Sequence, residues 1–168
     1  MRNIILSIVL TLVLLAILGL IYIYSGAFDV SQTTPHKPLT QWVINTTMQH
    51  SIERRVKDIK VPDLNDTTMY AVGARHYNEM CMVCHGAPGH DPSELAEGLY
   101  PEPPRIEEPE DIVPPAEAFW IIKNGIKMTG MPAFGPTHTD EEMWAITAFV
   151  INRMVKMSDA EYDKITKE

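Results

Sequence analysis

The sequence predicts an all-α protein. Apolar residues recur at helical spacing along the chain, two capping boxes open helices near its end, and no alternating β pattern or internal repeat emerges. With 168 residues the chain has room for one domain of ordinary size plus appendages.

The first element is a run of 21 uncharged residues, Ile4 to Tyr24. As a helix it spans about 31 Å, the thickness of a bilayer's hydrocarbon core. A cleaved signal peptide is the alternative, since Ser25-Gly26-Ala27 offers a small-x-small site. The run, however, exceeds the ~7–15 apolar residues of a signal sequence, which favours an uncleaved anchor. Tyr22 and Tyr24 stand where an aromatic belt belongs. Arg2 precedes the span and Asp29 is the first charge after it, so the N-terminus is expected in the cytoplasm and the rest outside.

The organisation expected is an anchor at residues 1–27, a linker at 28–62 and a helical domain at 63–168. Pro35 and Pro38 mark the linker, and Thr40 caps an amphipathic helix over about 40–59. Its stripe is Ile44, Met48, Ile52, Val56 and Ile59, with His50, Arg54, Arg55 and Lys57 opposite. Whether this helix packs on the domain or lies near the membrane surface stays open. Within the domain, Asp66 or Thr67 caps a helix reaching Met80, in which Gly73 permits a close crossing. A long loop rich in Gly, Pro and acids follows from Gly86 to Pro115, with one short helical turn at 93–97. Pro114-Pro115 open a helix through Asn124, closed by Gly125. The capping box Thr139-Asp140-Glu141-Glu142 starts a helix to about Met154, and Ser158 to Glu161 starts a short terminal one.

Both cysteines of the chain lie in Cys81-Met82-Val83-Cys84-His85. C-x-x-C-H is the pattern of covalent haem attachment. Two thiols three positions apart on one helical turn can each add to a haem vinyl group, and the following imidazole takes the iron. A thioredoxin-like C-x-x-C needs a βαβ context that is not visible, and structural zinc needs a second ligand pair that does not exist here. One haem c, with its iron, is therefore the expected cofactor. No histidine lies in the apolar span to ligate a second, b-type haem. The candidate for the other axial position is Met131, 46 residues beyond His85, between Gly130 and Pro132. Met128, His90 and His138 are the alternatives.

Without residues 1–27 the chain carries 13 basic and 22 acidic side chains, a net of −9, which argues against nucleic-acid binding and against docking on anionic lipid. The acidic run Glu107-Glu108-Pro109-Glu110-Asp111 is either a steering patch or a solvated loop. Lys123 and Lys127 are candidates for the rim of a docking face.

Gly73, Tyr77, the haem motif with Gly86, Pro104, Gly130-Met131-Pro132 and the Trp144 helix together resemble class I c-type cytochromes. The resemblance is closest to the single-haem domains of cbb-type oxidase and dehydrogenase-linked cytochrome subunits, and covers about Asp66 to Met154. It implies a cytochrome c-like domain whose first and last helices cross, with Gly73 and Tyr77 meeting Trp144 and Ala148. It also implies that the Pro104 carbonyl accepts from the proximal His85, and it makes Arg105, Tyr100, Trp120 and Lys123 candidates for the haem propionates.

The function expected is single-electron transfer by a membrane-tethered cytochrome rather than enzymatic turnover, with no small-molecule substrate. The haem domain would face the periplasm of a bacterial inner membrane. Its redox partners would be a terminal oxidase, a quinol-oxidising complex or a dehydrogenase. Two alternatives stand beside this. One is a five-coordinate haem enzyme or gas sensor, and the other is a haem-bearing structural subunit of a larger complex.

Overall fold

Among the described residues, 1–106 and 112–167, the computed structural model is helical, with one isolated bridge between Ala87 and His90 and no strand. The acidic run Glu107–Asp111 lies outside the described residues. Contacts divide the chain into two units, Met1–Thr34 and Pro35–Glu168.

The first unit is helix α1, Arg2–Tyr24, followed by a short turn in which Asp29 accepts from the Ser31 amide and the Thr34 hydroxyl at 2.8 and 2.7 Å. α1 buries none of its side chains and is long and apolar enough to cross a membrane.

The second unit begins with α2, Pro38–Arg55. It starts at Pro38 rather than at Thr40, because proline in the first turn lacks only an N–H that would have had no partner. It also ends at Arg55, short of Ile59, which is held instead in a turn by Val56. The contacts place α2 in the same compact unit as the domain, so the division falls after Thr34 and not at residue 62.

The core forms where α3, Thr68–His76, crosses α7, Asp140–Asn152. The crossing is close because Gly73 has no side chain: a Cβ there would fall on the Ala145 carbonyl and 2.7 Å from Phe149 Cβ. Tyr77 then packs on Phe149, ring centroids 6.1 Å apart. The partners across the crossing are thus Ala145 and Phe149. Trp144, expected there, lies one residue and about 100° around the helix. It stacks on Phe119 of α6, Pro115–Asn124, at 4.1 Å and 4°.

Both ends of α7 are tied. At its start Thr139 and Glu142 form the complete capping box. At its end the Asn152 amide donates to Leu64 O at 2.9 Å, fixing the segment that leads into α3. The terminal helix α8, Asp159–Lys167, seats the fully buried Tyr162 against Phe149 and His90, while Asp163 holds His90 at 2.8 Å.

Candidate haem site

A helix that changes pitch delivers the cysteine motif. α3 ends at His76 and the chain widens into a π turn, Tyr77–Cys81, in which the Met82 amide bonds to Tyr77 O. It then tightens again in α4, Met82–His85, with the single turn α5, Glu94–Glu97, following in the next loop. A continuous helix to Met80 was the expectation, and the π turn has no signature in the residues themselves. Such turns cluster at functional sites, where the extra residue per turn re-aims the side chains beyond it. Gly86 ends α4 at φ 69°, a left-handed conformation that suits glycine, and its carbonyl accepts from the buried Tyr77 hydroxyl at 2.7 Å.

Cys81, Cys84, His85, Pro104 and Met131 all line one cavity of about 310 Å³. Cys81 is buried, and burial, with Cys84 beside it, pushes its thiol up to about 12. Burial thus favours the neutral thiol over the thiolate. Among the described residues no group of three or more His, Cys, Asp and Glu side chains is placed to hold a metal ion.

His85 Nδ1 lies 2.8 Å from Pro104 O. A carbonyl only accepts, so Nδ1 carries the proton and Nε2 keeps its lone pair. Burial holds the pKa of this ring below the ordinary 6.5, an effect partly offset by the Pro104 carbonyl. The imidazole is therefore neutral and oriented, as a metal ligand would have to be, and the carbonyl reinforces its basicity.

Met131 comes from the loop after α6, which folds back onto that helix's end. The Phe134 and Gly135 amides donate to the carbonyls of Ile122 and Lys123 at 3.1 and 2.9 Å, satisfying the terminal acceptors of α6. The Met131 amide donates to Thr129 Oγ1 at 3.1 Å, that hydroxyl donates to Ile126 O at 2.8 Å, and the Ile126 amide donates to Met131 O at 3.3 Å. Gly125, at φ 63°, makes this return possible: a Cβ there would come within 2.8 Å of Met131 O and 2.7 Å of Pro132 C. Gly130 leaves room in the same way for Leu99.

The alternatives to Met131 point elsewhere. Met128 has positive φ and is 78 % exposed, His90 pairs with Asp163, and His138 packs on His76 and Phe134. None of the three lines the cavity. Arg105, expected at a propionate, is also outside the cavity wall, and its guanidinium donates to Asp91 at 2.9 Å. Lys123 donates to Asp140 at 2.6 Å, and the Tyr100 hydroxyl receives the His36 amide. Among the wall residues that sequence reasoning missed are Met48 of α2 and the buried Thr147 of α7. Met48 carried a signal, since it sits in the apolar stripe of its helix. Thr147 carried none.

The family model described as cytochrome C oxidase, cbb3-type, subunit III matches residues 68–150. That stretch runs from the start of α3 to within two residues of the end of α7 and contains every site residue named above except Met48. No curated protein matches the chain.

Proposed function

Since the chain carries a cytochrome domain of the cbb3-type subunit III family, with a candidate membrane helix before it, we propose that it is a membrane-tethered carrier of single electrons. In this reading one haem c is bonded to Cys81 and Cys84, with its iron held by His85 and Met131. The observation that carries it is the convergence of both thiols, an imidazole already oriented through Nδ1, and a thioether on one apolar cavity. That donor set fits haem c. Haem iron, when bound, supplies a one-electron couple, and a thioether ligand raises its potential.

The chain's own residues do the rest. Pro104 fixes the His85 ring, the Ile126–Met131 hydrogen bonds hold the Met131 backbone, and Ile122, Ile146 and Val150 keep the wall apolar. Such a wall excludes water and limits the reorganisation that accompanies a change of charge. α1 anchors the domain, and the Arg2/Asp29 asymmetry sets it on the periplasmic side of an inner membrane. The family description points to an oxidase complex as the partner, and a quinol-oxidising complex or a dehydrogenase is the alternative.

The test is covalent attachment followed by redox titration. Wild-type chain should retain haem through acid–acetone extraction and titrate as a single reversible one-electron couple. Cys81→Ser with Cys84→Ser should retain none. Haem surviving extraction in the double variant would sink the assignment.

A further inference from the structure

Residues 35–55 lie outside the matched stretch 68–150, yet they reach the cavity. The segment is tied down at both ends. At its start the His36 amide donates to the Tyr100 hydroxyl at 3.2 Å, and the two rings meet edge-on with centroids 5.3 Å apart. Tyr100 belongs to the loop that carries Pro104, the partner of His85. Towards its end Ile52 is only 4 % exposed, and α2 contacts α6, the helix that leads into the Met131 loop. Between these ties Met48 enters the cavity wall. The segment 36–55 therefore joins the loop that orients His85, through His36, to the helix that precedes Met131, through α2.

We propose that α2 is a built-in cover of the haem pocket, with the Met48 side chain in contact with the bound haem. The inference rests on the haem reading above and extends it to a segment that the family match does not include. An unbranched thioether suits such a contact, because it fills irregular gaps and is polarisable. Covering this side removes water from it, which favours the less charged, reduced state and raises the potential. It also denies that side to a docking partner, so electrons enter and leave at the part of the rim that α2 does not cover.

The experiment uses the full-length, haem-loaded chain in detergent, labelled with ¹³C at the methionine methyls, with the Met48 signal assigned from Met48→Leu. The Met48 methyl is expected to shift clearly between the ferric and ferrous forms, because only the ferric form has an unpaired spin beside it. A Met48 methyl at the same position in both forms overturns the cover. A second measurement asks the same question through charge. Met48→Glu should lower the ferrous fraction at a fixed poise about fivefold, whereas Thr47→Glu, one residue away and exposed, should change it less than about 1.5-fold. Equal effects from the two substitutions also overturn the proposal. If Met48→Glu does not accumulate, the methyl shift decides alone. A wild-type chain without covalent haem refutes the reading of the site itself, an outcome distinct from a loaded chain whose Met48 methyl does not respond.

Discussion

The two sides of the cavity are built differently. On the His85 side five consecutive residues, Cys81 to His85, carry both thiols and the imidazole, and one hydrogen bond to Pro104 orients the ring. On the Met131 side the short run Gly130-Met131-Pro132 does not hold the side chain by itself. There the ligand candidate is placed by Gly125, by the carbonyls at the end of α6 and by a ring of hydrogen bonds through Thr129. The first side is local chemistry held on a helical turn. The second is tertiary packing. Substitutions on the first side should therefore abolish attachment outright, while those on the second should leave the haem attached and change its ligation.

The largest effect is expected where the two sides depend on one contact, the α3–α7 crossing. Gly73→Val puts a branched side chain where even a Cβ meets the Ala145 carbonyl, so the crossing must open. The cost should be about 3 kcal/mol or more, read as a lower urea midpoint, with haem incorporation falling in parallel. Next is Gly125→Ala, which separates the sides. Its Cβ would press on Met131 O and Pro132 C from a left-handed backbone, so the loop has to move. Covalent haem should survive at wild-type yield, while the fraction of thioether-ligated ferric haem falls several-fold, as read by absorption. Loss of covalent haem in this variant would erase the distinction drawn between the two sides.

A smaller effect concerns acid stability. The Glu142 carboxyl is held below its ordinary 4.5, chiefly by the Thr139 amide, and the Glu161 carboxyl likewise by the Ser158 amide. A carboxyl lowered on folding contributes stability that is complete above 4.5 and is lost as pH falls through its folded value. Glu142→Gln should therefore lower the thermal midpoint slightly at pH 7, where this contribution is complete, and flatten its decline below pH 4.5, so that variant and wild type converge in acid. An unchanged acid limb would show that this box contributes no pH-dependent stability.

Much of this architecture could be read in the residues. The helices at 115–124 and 140–152 announce themselves through Pro-Pro, Gly125 and the Thr139 box, all signals that act over a single turn. The haem motif is legible for the same reason. The register of the crossing was not. Trp144 and Ala145 are adjacent, and which of them meets Gly73 depends on a rotation that only packing determines. The π turn at Tyr77–Cys81 was hidden because nothing in the pattern of its five residues distinguishes it from an ordinary helical turn. Arg105 shows the limit from another direction: nothing in the sequence pairs it with Asp91, whose carboxylate accepts from its guanidinium at 2.9 Å.

In the proposed reading His85 and Met131 hold one iron. The most direct test is the absorption spectrum of the loaded chain, in the wild type and in Met131→Ala. The wild type should show the weak long-wavelength band of a thioether on ferric haem, and Met131→Ala should lack it, with covalent haem present in both. A wild-type ferric spectrum without that band, together with ready binding of carbon monoxide by the ferrous form, would contradict this ligation.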